Sequence, residues 1–307
     1  MELSIIIVNY EMGNYITQCI DSIYKETKKI DFEIIIVDNS RGRNDHDVLK
    51  EKFPGIIIHF NDKNLGFSKA CNQGILLSSG KMILFLNPDT IVLNGAIDRV
   101  YEFINEDSDA GIVGCKLLNF DGTLQYSCKS FPSIWNLFCE ALYLYRIFPK
   151  TKLFGSYHMS CFDYDSIKDV DVVMGAFMML KRGVIDSIGK FDESYFMYSE
   201  ETDLCYRAIQ KGWKVQYYPN SEIMHRWGGM SDGLIDRLSI EVHKSLMIFC
   251  RKNHKSLYFL IEKSIVFFGV VLRFIYYVIF SSIIRHRSLF RKKNKYAAIV
   301  MSYIRGI

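Results

Sequence analysis

Several things are missing from this 307-residue chain, and each absence narrows its chemistry. There is no C-x-x-C pair among the eight cysteines, which run from Cys19 to Cys250. No His/Cys spacing suits zinc, so a zinc ribbon or a disulfide framework is not indicated. The cysteines read as free thiols, used as small apolar residues in a reducing compartment. No G-x-G-x-x-G follows the first apolar run, and no G-x-x-x-x-G-K-[ST] occurs, so backbone cradling of phosphate is not offered. No Ser-His-Asp or Cys-His arrangement stands out, which agrees with chemistry that needs no enzyme nucleophile. The start, MELSIIIVNYEMGN, lacks the basic first residues and cleavage site of a signal peptide, so a cytosolic-facing protein is expected. Neither an internal repeat nor a low-complexity linker is present. Charge is nearly balanced, at +4, which does not call for a nucleic-acid partner.

What is present is a globular composition, 49% apolar and 23% charged. That suits one large α/β domain with an appendage. ELSIIIVN (2–9), FEIIIVDN (32–39), GIIIHF (55–60) and MILFL (82–86) are compact β-branched or apolar runs. Such runs fit strands buried on both faces. Helical stretches separate them, over 13–25, 44–52 with the polar loop RGRND ahead of it, and 94–104, while 64–80 reads as a loop leading into a helix. Strand alternating with helix through about residue 115 predicts an open, mainly parallel sheet with right-handed crossovers. Beyond it, DGT (121–123) suits a hairpin turn and Phe131 to Tyr164 is rich in aromatics. VDVVMGAFMMLKR reads as a strand broken at Gly175. A helix follows over about 200–211, then a strand over 213–218, and HRWGGMSDG (225–233) is a glycine-rich loop.

Open parallel sheets bind ligands beyond the carboxyl ends of their strands. The polar residues at those ends here are Asn9, Asp38-Asn39 and Asn87-Pro88-Asp89. The strand MILFL runs into the last of these, and Pro88 is expected to stop it pairing further, so that Asp89 projects at the sheet edge. A pyrophosphate held without a glycine loop needs a counter-charge, most simply a divalent cation on a carboxylate. Asp89 fits that role, although an acid there also suits a helix cap. Glu200, Glu201 and Asp203 crowd one helix start. Acids in a first turn complement the helix dipole, and Ser199 ahead of them can cap it. A carboxylate facing a site can equally act as a general base. His225, followed by Gly228, Gly229 and Ser231, is a further metal or diphosphate ligand candidate.

Seven segments in order carry a resemblance: SIIIVNYE, IVDNS, NLGFSKACNQGI, FLNPDT, GAFMMLKR, FDESYFMYSEETDLCYR and HRWGGMS. Together, over Leu3 to Asp232, they resemble family 2 of the GT-A glycosyltransferases. These are inverting nucleotide-sugar transferases, and the likeness is greatest to bacterial rhamnosyltransferases of cell-surface polysaccharide synthesis. The resemblance implies a GT-A domain over 1–234, with a nucleotide-binding half (1–115) and an acceptor-side half (116–234). It implies that Asn9, Tyr10, Glu11 and Asp38 hold the nucleoside, with Asn64, Gly66 and Asn72 shaping its wall. Asn87 and Asp89 would face the diphosphate, with Asp89 and His225 on Mg2+ or Mn2+. Gly175, Ala176 and Asp203 would line the acceptor side. The catalytic pair would be Glu200-Glu201, with the base at Glu201. Asn87 stands where many relatives carry a second acid, and Glu201 where they carry Asp. The implied reaction moves a sugar, rhamnose from dTDP-rhamnose, to a hydroxyl of a lipid-linked saccharide acceptor. A UDP-sugar donor and a silent nucleotide-sugar-binding scaffold of an assembly complex are the alternatives.

Residues 235–307 change character. Ile265 to Ile284 is twenty residues with one charge, Arg273. Its apolar residues contribute about −4 to −6 kcal/mol on insertion scales, and Arg273 opposes by about +2.5 to +3.5 kcal/mol. The balance is near zero. RHRSLFRKKNK then adds six positive charges: Arg285, Arg287, Arg291, Lys292, Lys293 and Lys295. The expectation is a C-terminal helical extension lying on or partly in an anionic membrane surface, on the cytoplasmic face. A membrane span and a core or homodimer helix are the alternatives.

Overall fold

A computed structural model describes residues 1–40, 46–226, 232–284 and 286–307. The RGRND loop, Gly228, Gly229, Ser231 and Arg285 lie outside the described residues. The chain divides into two compact units. One comprises 1–130, 162–196 and 200–229, and the other 131–161, 197–199 and 230–307.

The first unit opens with β1 (Leu3–Asn9), α1 (Asn14–Glu26), β2 (Phe32–Asp38), α2 (His46–Lys52), β3 (Ile57–Phe60), α3 (Phe67–Leu77) and β4 (Met82–Leu86). β1 pairs in parallel with β2 on one side and β4 on the other, and β2 with β3. Both faces of β1 are covered, as its unbroken apolar run requires. Leu3, Ile5 and Ile7 join the cluster under α1. Ile6 points the other way, onto α3. That helix sits so close that a Cβ on Gly74 would lie 2.4 Å from Ile6 Cγ2.

Next come β5 (Thr90–Val92), α4 (Ala96–Glu106), β6 (Ala110–Leu118), β7 (Leu124–Gln125) and β8 (Cys128–Lys129). The DGT turn joins β6 to β7 as expected, and the two pair antiparallel. Within the second unit lie α5 (Ile134–Ala141) and α6 (Leu144–Ile147). The first unit resumes with β9 (Lys168–Asp169), β10 (Val172–Val173), β11 (Phe177–Lys181), α7 (Arg182–Ile188), α8 (Glu200–Gln210) and β12 (Lys214–His225). The break at Gly175 separates β10 from β11. The main sheet runs β3-β2-β1-β4-β11-β6-β12-β5. It is mostly parallel, but β11 lies antiparallel between β4 and β6. Three helices complete the second unit: α9 (Asp232–Asn253), α10 (Ser256–Ile283) and α11 (Arg287–Ile304).

As expected, β4 stops pairing at Leu86, just ahead of Pro88. The chain turns at Asn87–Thr90 and enters β5, which pairs antiparallel with β12 in the register Thr90↔His225. Pro88 interrupts the ladder for one turn, because it lacks an N–H, and the chain then changes neighbour. β12 also runs well past the expected 213–218, since it must reach β5.

Candidate active site

The parallel register places Asn9 beside Asp38. Asn9 Nδ2 donates to Asp38 Oδ2 at 2.8 Å, and Asp38 Oδ1 accepts from the Ser40 backbone N–H at 2.6 Å. Asp38 is 2% exposed. Asn9 Oδ1 is buried with no partner among the described residues. An acceptor left open at a strand tip is a place for a ligand donor. Tyr10 and Glu11 follow β1. Glu11 has φ 55 and donates its N–H to Ser40 Oγ at 2.7 Å, which ties the two strand ends together.

Gly66 begins α3 with φ 88 and ψ 169, a region open essentially to glycine alone. Its N–H donates to Asn64 Oδ1 at 2.9 Å, and its carbonyl accepts from Asn39 Nδ2 at 3.1 Å. Phe67 N–H donates to Phe196 O at 2.7 Å. Asn72, also on α3, fixes the backbone at Phe191. Its amide brackets Phe191, accepting from that N–H at 3.0 Å and donating to that carbonyl at 2.9 Å.

The β4 tip carries the densest chemistry. Asn87 N–H donates to Ala176 O at 3.1 Å, so the Gly175-Ala176 bend is docked on the turn. Thr90 Oγ1 donates back to Asn87 O at 2.8 Å and closes it. The Thr90↔His225 register then brings His225 to the acid: Nε2 lies 3.6 Å from Asp89 Oδ1 and 3.3 Å from Asn87 Nδ2. His225 Nδ1 donates to Gln125 Oε1 at 2.9 Å, and Gln125 Nε2 donates to His225 O at 2.6 Å. With Nδ1 protonated, Nε2 keeps its lone pair turned to Asp89 and Asn87. This is the tautomer a metal ligand needs, oriented by an outer partner.

Burial drives both groups toward neutrality. The Asp89 carboxyl is raised to about 6, mainly by desolvation, with the Arg226 charge opposing. The His225 imidazole is lowered to about 4 by desolvation. A desolvated carboxylate beside a neutral imidazole lone pair fits a divalent cation, so the residues present suit Mg2+ or Mn2+.

Arg226 escaped the sequence reading. Its N–H donates to Asp89 O at 3.0 Å. Its guanidinium lies between the Tyr15 and Phe120 rings, 4.8 and 4.7 Å from their centroids. It lines a cavity of about 310 Å³ with Asn119, Phe120, Asp121 and His225. Arginine stacked this way keeps its charge and its forked donors, which suit a phosphate. Gln125 was likewise missed, because its role depends wholly on the fold around His225.

α8 carries the acids. Tyr198 and Ser199 both have left-handed backbone, φ 70 and φ 60, immediately before Glu200. Strain of this kind costs about 1–3 kcal/mol per residue and clusters at functional sites. Glu200 is 6% exposed. Its carboxyl is raised well above the usual range, first by burial and then by the adjacent Glu201. Glu200 Oε2 and Glu201 Oε2 are both buried without a hydrogen-bond partner among the described residues. Asp203 is placed differently. Its carboxylate accepts from Arg207 Nε at 2.7 Å and Tyr195 OH at 3.4 Å, and Arg207 in turn ties down the carbonyl of Ile188.

A mostly parallel sheet with flanking helices and this chemistry at its strand tips defines a GT-A glycosyltransferase. The fold is shared with the Pyrobaculum calidifontis mannosyltransferase PcManGT, solved with GDP-Man and Mn2+. The TM-score is 0.57 at 10% identity, covering 99% of this chain and 86% of that one. Staphylococcus aureus TarS shares it at TM-score 0.53 and 14% identity, covering 87% of this chain but only 42% of that one. In sequence, residues 4–171 match Glycosyl transferase family 2. The chain belongs to that family. It is 24% identical over 265 residues to the N-acetylglucosaminyl-diphospho-decaprenol L-rhamnosyltransferase of Mycobacterium tuberculosis, covering 82% of this chain and 85% of the relative. It is also 30% identical over 213 residues to the low-salt glycan biosynthesis hexosyltransferase Agl10 of Haloferax volcanii, covering 67% of this chain and 61% of the relative.

Proposed function

We propose that this glycosyltransferase moves rhamnose from dTDP-rhamnose to a hydroxyl of a lipid-linked saccharide, with inversion and with a divalent cation bound. The observation that carries the reading is the Asp89–His225 pair at the β4 tip, oriented through Gln125 and flanked by the Arg226 guanidinium. A pair of this kind holds a cation where a diphosphate departs. The cation, when bound, supplies Lewis-acid stabilisation of the leaving diphosphate. Arg226 faces the same phosphates with fixed charge. Asn9 and Asp38 bind the nucleoside, and Asn9 Oδ1 offers the open acceptor. Glu201 takes the proton from the acceptor hydroxyl as the sugar transfers. Burial and the adjacent Glu201 raise the Glu200 carboxyl, which favours its neutral form beside the base.

The rhamnosyl donor and lipid-linked acceptor are supported by the mycobacterial relative, whose name specifies both kinds of group. The catalytic domain ends near residue 234, and the C-terminal helices bring it to the cytoplasmic membrane face. A thermal-shift screen of dTDP- and UDP-sugars, with and without Mn2+, tests the donor. dTDP-rhamnose with Mn2+ is expected to stabilise most. Greater stabilisation by a UDP-sugar would move the protein to another sugar. In Asp89→Asn the Mn2+-dependent part of donor binding is expected to vanish, and its survival would refute the metal role. Donor binding with neither transfer nor donor hydrolysis would identify a scaffold.

A further inference from the structure

A second cluster lies far along the chain from the acids above. Cys250 is in the last turn of α9, and His254 follows the helix end with its N–H on Cys250 O at 3.0 Å. Glu262 is in the second turn of α10. One ligand atom from each of the three lies within 4.8 Å of the others. His254 Nδ1 is 2.8 Å from Glu262 Oε2. Glu262 is 1% exposed and Cys250 is fully buried. The His254 side chain keeps 23% exposure, which leaves a path for an ion. The Phe249 ring stands edge-on to His254 at 6.1 Å, and Asn253 Nδ2 donates to Phe249 O at 3.1 Å. The turn between the helices is therefore built rather than loose.

A carboxylate this deep is costly unless a positive charge meets it. Sulfur, imidazole nitrogen and carboxylate oxygen form a donor set that favours zinc over Mg2+ or Mn2+. We propose that Cys250, His254 and Glu262 bind a zinc-class divalent cation, with water in the fourth position, pinning α9 to α10. On binding, the thiol releases its proton to solvent, His254 gives up the Nδ1 proton that it shares with Glu262 and keeps one on Nε2, and both freed atoms turn to the ion. The spacing along the chain hid this site. Cys250 and His254 are one helical turn apart, but the third ligand comes from the next helix.

The test is cobalt substitution of the full-length chain after chelation. The expected result is a sulfur-to-cobalt charge-transfer band that persists in Asp89→Ala and in Cys161→Ser, Cys161 being the exposed thiol. The band is expected to vanish in Cys250→Ser. Cobalt affinity should fall at least about tenfold in Glu262→Gln. Zinc should raise the melting temperature of the wild-type chain and not of Cys250→Ser. A folded wild-type chain without the band would overturn the proposal and leave a hydrogen-bonded trio. So would a band that survives Cys250→Ser or disappears with Cys161→Ser.

Discussion

Glu200 and Glu201 are neighbours in sequence, yet the roles proposed for them differ. Glu200 is buried beside another carboxyl, and both effects favour its neutral form. A neutral carboxyl cannot accept a proton, so the base proposed above is Glu201. Glu200→Gln replaces a neutral group by a neutral amide of the same shape, and transfer is expected to stay within a few-fold of wild type. Glu201→Gln is expected to lose about 10²–10⁴-fold in kcat. Calorimetric donor binding should be unchanged in both. The opposite order in single-turnover rates would make Glu200 the base. Asn87 shows a related effect. It is neutral where a second acid is common, and its Nδ2 lies 3.3 Å from His225 Nε2. One carboxylate and one nearby guanidinium therefore make up the local charge, with a neutral imidazole beside them, instead of two carboxylates.

Among the elements, the α3 entry is the most exacting. A Cβ on Gly66 would lie 2.5 Å from Phe196 O, at backbone angles that other residues avoid. Gly66→Ala is expected to destabilise by about 1–3 kcal/mol from strain alone, read as a lower denaturation midpoint. A wild-type midpoint would show that the entry is not built as described. In the helical unit, His243 on α9 contacts Tyr303 OH on α11 at 3.3 Å. Its imidazole is pushed down to about 4, first by burial and then by Arg273 and Lys295. The unfolded chain binds that proton near pH 6.5, and the folded chain does so only near 4. Its stabilising contribution is therefore full above 6.5 and lost as pH falls from 6.5 toward 4. His243→Gln should flatten the stability profile in that window, measured by urea unfolding at a series of pH values.

At the scale of the whole molecule, α10 is long and apolar enough to cross a membrane, yet most of its apolar stretch is not buried. Phe268, Leu272, Ile275, Ile279 and Ile283 are all exposed on it. With the basic α11 following, carbonate at high pH is expected to release the protein from membranes. Resistance to extraction would make α10 a span, and recovery entirely in the soluble fraction would remove the membrane role. The strand-and-helix alternation was legible in the sequence because burying both faces of a parallel strand demands continuous β-branched runs, as in Ile5 to Val8 and Ile34 to Val37. The polar strand tips were legible for the same reason, since Asn9, Asp38 and Asp89 each interrupt or follow such a run. Local pattern cannot report long-range register, so the antiparallel insertion of β11 and the pairing of Thr90 with His225 needed the folded chain. Only that pairing brings His225 and Arg226 to Asp89, from up to 137 positions away in sequence, while the pairing of β7 with β6 brings Gln125 to His225. Its physical basis is backbone hydrogen bonding at the sheet edge, where the strand interrupted by Pro88 takes up a new neighbour.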